Sequence, residues 1–386
     1  MKKVTISEIC IIGLAIFSML FGAGNIMLAI NVGMRAGFHF TWANFSFILT
    51  SVIMPIAGLI AVVLFNGDYN EYFNRLGKIP GQALIFLIML IIGPLNVIPR
   101  IITLSHTMLE QFLPNNSLAP FAIAFLLLTF LATVKESKVI SLLGRIISPT
   151  LIIALLVIIV VGMFKTGTVI PTTSSLWEIF WRESKYGFVT FDLLGTIFFG
   201  SIVINLLKKD SQEKLSQQST LRASLYGGLL GSALLGIVYV GLAWVGNKQS
   251  YGLTYINEGE LLREIALRIL GPWGLLFMAT AVFMACFSTA IALMVVVSEY
   301  IQKNVSRNKL SYIQSLIAVH LATYFPSTMG LSAAMSLSIG PVASIIYPIV
   351  MMITACNLAY KFLGFKSIKM PTLITAIIST VLYLAL

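Results

Sequence analysis

The sequence has little charge for its length. Only 10% of its 386 residues are Asp, Glu, Lys or Arg, whereas 58% are hydrophobic, and the mean hydropathy is +0.96. Soluble domains carry about 25% charged residues. Because one membrane helix needs roughly 20 apolar residues, the apolar residues suffice for about eleven crossings. The composition therefore predicts an all-α polytopic membrane protein and excludes a cytosolic enzyme with a membrane tail.

Cysteine and histidine are also scarce, with three of each. Cys10, Cys286 and Cys356 fall singly in apolar segments, which excludes a disulfide framework and a zinc site, and we expect them to be small core residues. His106 and Glu110, one helical turn apart, are the nearest approach to a catalytic pair, and no third member accompanies them. We therefore predict that the protein is not an enzyme.

Other functional signatures are missing too. The sequence has no G-x-x-x-x-G-K-[ST] loop for a nucleotide and no repeated polar rings that would line a channel. The net charge of +11 comes from cations scattered between apolar segments, so they predict membrane topology rather than nucleic-acid binding. We expect no cofactor other than a coupling ion, sodium or a proton. The partners expected are a small-molecule substrate and membrane lipid, and the sequence leaves the oligomeric state open.

The apolar segments predict eleven membrane spans in a single domain, 1–386. Lys and Arg outside the spans number seventeen on the side of the N-terminus and seven on the other, which predicts a cytoplasmic N-terminus. Internal prolines or glycines predict that the third, eighth and tenth spans are tilted or kinked. The spans are 9–31, 43–66, 82–109, 119–133, 140–164, 188–207, 225–246, 272–300, 310–325, 335–360 and 370–386.

The first span contains Gly22-Ala23-Gly24-Asn25 at mid-membrane depth. Glycine weakens a helix by about 1 kcal/mol relative to alanine. Gly-Ala-Gly alone is more typical of close helix packing. The adjoining Asn25 favours a break instead, because an amide packs poorly but binds cations and zwitterions well. Unwound backbone in a membrane requires protein or a water-filled cavity to satisfy its polar groups.

The sixth span repeats this pattern with Asp192, Gly195 and Gly200. Two interrupted helices at corresponding positions predict an inverted repeat with a binding site between them, and Asp192 and Gly195 are candidate substrate-binding residues. The alternative is a chance pair of glycine-containing spans. The predicted repeats are about 9–164 and about 188–360, followed by an extra helix at about 370–386.

Arg100 lies inside the third span, where a charge is costly and should face a partner or a cavity. Asp192 is the obvious candidate partner. The pair is as compatible with a structural role as with a coupling role.

Ser288 and Thr289 are neighbouring hydroxyls in the eighth span. Such side chains usually bond to the carbonyl one helical turn earlier. Two hydroxyls together with carbonyls from a broken helix would alternatively supply the oxygen ligands that sodium requires.

Six segments, in this order, resemble those of the bacterial branched-chain amino acid:cation symporters. They cover residues 11 to about 360. The first is fairly specific and the others are persuasive as a series: Phe17–Asn25, Gly93-Pro94 with Ile98-Pro99-Arg100, Asp192 ahead of Phe199-Gly200, Asn257–Glu260, Ser288–Leu293 and Tyr347-Pro348.

The resemblance implies a five-plus-five inverted repeat of the bacterial leucine-transporter type with broken helices one and six. It implies a symporter that imports leucine, isoleucine and valine with sodium or protons across the bacterial inner membrane, and we expect the coupling ion to be sodium. The sodium ligands would be Ser288, Thr289 and main-chain carbonyls near Ser18 and Phe21. The substrate carboxylate and part of the ion site would lie at Phe21, Gly22, Ala23, Gly24 and Asn25. The sequence departs from the family in having no proline in 26–31.

Two alternatives stay open at this point. The protein could be a proton-coupled transporter of other small apolar amino acids, with Asp192 carrying the proton. It could also be a substrate-sensing membrane receptor on the same fold.

Overall fold

A computed structural model describes residues 5–113, 117–210, 217–254 and 258–385, and the regular structure among them is helical, with no strand. Each of the eleven predicted spans overlaps at least one helix. The α-helices, joined in places by short π or 3-10 turns, are α1 (Ile6–Leu20), α2 (Ala23–Ala36), α3 (Phe40–Ile48), α4 (Met54–Leu64), α5 (Tyr69–Asn74), α6 (Lys78–Leu90), α7 (Val97–Leu109), α8 (Leu118–Thr133), α9 (Val139–Leu142), α10 (Ser148–Phe164), α11 (Leu176–Phe188), α12 (Asp192–Asp210), α13 (Gln217–Gln249), α14 (Glu258–Leu270), α15 (Pro272–Tyr300), α16 (Tyr312–Ser327), α17 (Leu331–Leu337), α18 (Tyr347–Leu363) and α19 (Lys369–Leu384).

The lengths and compositions of the helices fit a multi-pass membrane protein. Within the described ranges, seven helical stretches are long and apolar enough to cross a membrane, and α1, α8 and α19 are shorter apolar helices. Large apolar side chains point outward, including Phe164 at 88% exposure and Leu131 and Leu321 at 72% each. Many polar side chains are buried instead. This arrangement is expected when lipid is the surrounding solvent.

Local sequence signals set several helix starts. Thr5 caps α1 in a capping box, because its hydroxyl accepts from the Glu8 N–H while the Glu8 carboxylate accepts from the Thr5 N–H. Ser311 and Gln314 form the same box at the start of α16. These caps satisfy N–H groups that have no partner within the helix.

The third and tenth spans are kinked, as predicted. The backbone is non-helical at Gly93, directly before Pro94, and at Gly340, directly before Pro341. Proline lacks an N–H and its ring clashes with the preceding turn, which accounts for both kinks. The eighth span differs, because α15 runs without interruption from Pro272 to Tyr300.

The first span lies at the centre of the bundle, where α1 and α2 both pack along α13, and α1 also contacts α12 and α15. Glycines permit the closest approach: a Cβ on Gly33 would overlap the backbone of Ala243, and one on Gly246 would overlap that of Ile30. Small residues at helix contacts are typical of membrane bundles. This packing fixes the two halves of the first span against α13.

The first span is broken where the sequence predicts. α1 ends at Leu20, Phe21 and Gly22 are non-helical, and α2 begins at Ala23. The break separates a half on the N-terminal side, α1, from a half that continues toward Arg35.

The sixth span is also broken, but the predicted boundaries need correction. The helical stretch begins at Leu176 rather than 188, and the break covers 189–191, between α11 and α12. Phe191 has a φ of +60°, a strained left-handed conformation for a bulky residue. Gly195 and Gly200 lie inside α12, where Gly200 allows close contact with α4. Glycine in this span thus marks packing, and the break precedes Asp192.

Candidate functional site

The break in the first span leaves backbone groups without helical partners. The Gly22 N–H donates to the Leu20 carbonyl at 2.9 Å, so the Ser18 carbonyl loses the donor that a continuing helix would supply. Asn25 satisfies two other carbonyls at the break. Its Nδ2 donates to the Leu20 carbonyl at 3.0 Å, and its N–H donates to the Gly22 carbonyl at 2.9 Å. The first half of the span therefore ends in a carbonyl that needs an external partner.

The hydroxyl pair of α15 supplies that partner. Ser288 Oγ donates to the Ser18 carbonyl at 2.7 Å and lies 3.0 Å from the Ala285 carbonyl, and Thr289 Oγ1 lies 3.4 Å from the Ser18 carbonyl. Gly22 packs against Thr289, since a Cβ there would lie 3.4 Å from Thr289 Oγ1. The structure thus brings Ser18, Ser288 and Thr289 together, and their oxygens form one buried cluster.

The oxygens of this cluster are neutral. Among the described residues, no group of three or more His, Cys, Asp or Glu side chains is placed to hold a metal ion. Hard cations prefer oxygen ligands. Phe21, whose carbonyl is a further predicted ligand, lies in the break directly before Gly22. The donor set fits a monovalent cation such as sodium, provided that the two hydroxyls turn their lone pairs toward it.

A second polar cluster joins the two breaks. Asn25 Nδ2 donates to Asp192 Oδ1 at 3.0 Å, the Tyr239 hydroxyl donates to Asp192 Oδ2 at 2.7 Å, and Asn25 Nδ2 contacts the Tyr239 oxygen at 2.6 Å. All three side chains are buried. Asp192 is the first residue of α12, so its carboxylate lies at the positive end of that helix dipole. The predicted residues Asn25 and Asp192 are therefore in direct contact.

Arg100 contacts the other side of the sixth-span break. Its Nη1 donates to the Val189 carbonyl at 3.2 Å and to Ser338 Oγ at 3.4 Å, and its Cζ lies 5.2 Å from the centre of the Phe191 ring. The Val189 carbonyl follows the last residue of α11, at the negative end of that dipole. A Cβ on Gly24 would lie 3.1 Å from Arg100 Nη2, so the guanidinium packs against the start of α2.

The predicted direct ion pair between Arg100 and Asp192 is wrong. Both side chains are only 3% exposed and fully described, yet no N–O contact of 4.0 Å or less joins them within the described chain. The reason is the position of the break. Asp192 is satisfied by Asn25 and Tyr239 at the start of α12, while Arg100 is bonded to the end of α11. The two charges therefore interact through space across the break without forming a direct contact.

Two of the predicted substrate-binding residues, Gly195 and Ala23, belong to neither polar cluster. Gly195 lies one turn into α12 and its own N–H donates to the Phe191 carbonyl at 2.9 Å. Ala23 contributes the first residue of α2. Asn257, which belongs to one motif of the sequence resemblance, lies outside the described residues.

Sequence reasoning missed Tyr239, Asn96 and Ser338. Asn96 Nδ2 donates to the Ala334 carbonyl at 2.8 Å, and Ser338 Oγ donates to Asn96 Oδ1 at 2.8 Å. These bonds tie the kink of the third span to the tenth span beside Arg100. Asn96 could have been identified from the sequence, because it is a polar residue next to the Gly93-Pro94 kink. A single tyrosine or serine in an apolar helix gives no such indication.

Comparison with known sequences identifies the family of this chain. Residues 5–385 match the family described as branched-chain amino acid transport protein. A protein of Staphylococcus aureus (strain MRSA252) that is named as a branched-chain amino acid carrier is 30% identical over 96% of this chain and 86% of its own length. A protein of the same name from strain USA300 is equally similar.

Comparison with solved structures shows the fold. Mhp1, a transporter of the nucleobase-cation-symport-1 family solved in a closed conformation with bromovinylhydantoin bound, has a TM-score of 0.62 at 13% identity over 96% of this chain and 90% of its own. A Na⁺-coupled sialic acid symporter in a substrate-bound outward-open state has a TM-score of 0.60 at 14% identity over 97% and 90%. The chain therefore has the leucine-transporter type of fold that was predicted.

Proposed function

Because the chain belongs to the branched-chain amino acid transport protein family, we propose that it imports leucine, isoleucine and valine together with sodium. The membrane is a bacterial inner membrane, and the N-terminus is cytoplasmic, as the distribution of Lys and Arg indicates. The observation that carries the proposal is the hydrogen bond between Asn25 and Asp192, which joins the two helix breaks at one buried point. Transporters of this type bind substrate between such breaks.

The breaks offer what an α-amino acid needs. The free N–H groups at the start of α2 and the dipole of that helix favour a carboxylate near Gly24. Asp192 and the carbonyls of the breaks favour the ammonium group. The two breaks also supply buried apolar side chains, Phe21 and Phe191, for an aliphatic substrate.

The ion and substrate sites share the same short backbone segment, which provides a route for coupling. Ser18, on the ion side, and Leu20, bonded to Asn25 on the substrate side, are two residues apart. A sodium ion that binds Ser288, Thr289 and Ser18 would hold the end of α1 in place. An ion that orders the break on binding leaves less conformational entropy to be lost when the substrate binds, so the two bind cooperatively.

The test is uptake of labelled leucine by the purified protein in liposomes. An imposed inward sodium gradient should drive accumulation, and a proton gradient alone should not. The reverse result would reject sodium and leave Asp192, a buried carboxylate, as the group that carries a proton. Binding without accumulation under either gradient would reject transport and favour a sensor.

A further inference from the structure

Resting on the proposed function, the geometry points to Arg100 as the residue that binds the substrate carboxylate directly. This role differs from the coupling or structural role expected for Arg100 from the sequence. It also adds a side chain to a carboxylate site that the helix break would otherwise form from main-chain groups alone.

The first step is the charge of Arg100. The side chain is 3% exposed, and a guanidinium stays ionised in proteins. Within the described residues, no carboxylate oxygen lies within 4.0 Å of it. The end of α11 offers about half a negative charge, and the carboxylate of Asp192 acts on the guanidinium only through space, so no anion is in contact with it. In a membrane interior such a charge calls for an anionic partner.

The second step is the set of unused donors. The hydrogen bonds from Arg100 to described residues leave only from Nη1, and the buried Nε has no partner. A guanidinium has five N–H groups in a planar fork that matches the two oxygens of a carboxylate. Nε and Nη2 form one edge of that fork. This edge is available for a bidentate contact.

The third step is position. Nη2, Cζ and Nε of Arg100 lie 3.1, 3.3 and 3.5 Å from the place where a Cβ of Gly24 would be. The near-equal distances show that the face of the guanidinium packs over Gly24, with the Nε–Nη2 edge beside the start of α2, where the break already favours an anion. A residue larger than glycine at 24 would press against the guanidinium and displace this edge. A carboxylate bound at the edge would lie beside the start of α2.

The fourth step is the orientation of the guanidinium. Ser338 accepts from Arg100 Nη1 while its own hydroxyl bonds to Asn96, and the Val189 carbonyl accepts from the same Nη1. These contacts hold one end of the fork and leave the other end free. Asn96 and Ser338 are positioning residues in this arrangement, because neither would touch the carboxylate.

The experiment measures equilibrium binding to the purified protein of three ligands. They are leucine, leucinol, in which an alcohol replaces the carboxylate, and 4-methylpentanoate, which lacks the ammonium. Wild type should prefer leucine to leucinol by about 10- to 100-fold, the size of a charge-assisted contact. Arg100→Gln should lose that preference. Its affinities for leucine and 4-methylpentanoate should fall, whereas its affinity for leucinol should stay within about threefold of the wild-type value.

Two further variants keep the test decisive. Arg35→Gln removes an arginine of α2 that pairs with Glu183 at the outer end, and it should keep the preference for leucine over leucinol. Gly24→Ala places a methyl group 3.1 Å from Nη2 and should reduce leucine affinity more than leucinol affinity, which covers the case in which Arg100→Gln does not fold.

Retention of the leucine preference in Arg100→Gln, or its absence in wild type, would overturn the inference. Either result is compatible with leucine transport. A wild-type protein that neither binds nor accumulates leucine would instead refute the proposed function.

Discussion

Removing the hydroxyls of Ser288 and Thr289 tests the proposed sodium site most directly. Ser288→Ala with Thr289→Ala deletes two oxygens from a group that also contains the carbonyls of Ser18 and Ala285. The Ser18 carbonyl has no helical donor, because the Gly22 N–H bonds to Leu20. The double variant therefore leaves a buried carbonyl unsatisfied, which should cost about 1–3 kcal/mol of stability in the absence of sodium.

The effect on sodium should be larger. Each contact between a neutral group and a charge contributes about 1.5–3 kcal/mol. Losing two, with some compensation from the remaining oxygens, should weaken sodium binding by at least about 100-fold. Sodium at one hundred times its Kd should stabilise wild type by about 2.7 kcal/mol, because it binds only the folded protein. The double variant should lose this stabilisation at the same concentration.

The assay is thermal unfolding in sodium against potassium, together with leucine uptake driven by a sodium gradient. Thr280→Ala is the matched control, since its hydroxyl lies on the same helix and bonds only to the Leu276 carbonyl among the described contacts. It should retain both sodium effects. Sodium-specific stabilisation and sodium-driven uptake that survive in the double variant would refute the assignment of the cluster.

Two other substitutions probe the substrate side. Tyr239→Phe removes the donor to Asp192 and should lower leucine affinity by about 10-fold or more, measured by equilibrium binding, whereas Tyr226→Phe, an exposed tyrosine of the same helix, should have no effect. Gly24→Leu should abolish leucine binding in a protein that still elutes as a folded species, because the side chain would fill the space beside Arg100, and unchanged affinity would exclude the first break as the substrate site.

Local signals were sufficient for much of the fold and for singling out Ser288 and Thr289, whose role as sodium ligands stays a prediction. Gly22-Ala23-Gly24-Asn25 marked the first break because two weak helix formers adjoin an amide at mid-membrane depth. Ser288 and Thr289 drew attention as neighbouring hydroxyls in an apolar helix, and the structure places both beside the Ser18 carbonyl at the first break. The kinks at Gly93 and Gly340 follow from the prolines after them.

Contacts between distant parts of the chain could not be predicted from local sequence patterns. Tyr239 reaches Asp192 because α13 packs along the first span through glycines, and no local pattern specifies which tyrosine of a long apolar helix meets a buried acid. The helix α14 was also missed. Its 13 residues contain charged side chains at intervals and lack the apolar run by which spans were recognised.

The separation of Arg100 from Asp192 shows why the exact place of a break matters. Two opposite charges at similar depth favour the prediction of an ion pair, because each is costly alone in the membrane. With the break at 189–191, however, α11 ends and α12 begins between them, and each charge meets the oppositely charged end of a half-helix. A break a few residues later, around Gly195, would move both helix ends away from Val189 and Asp192. The position of the break therefore gives the two charges separate hydrogen-bond partners while they still interact through space, and a zwitterionic amino acid has the charges to complement both.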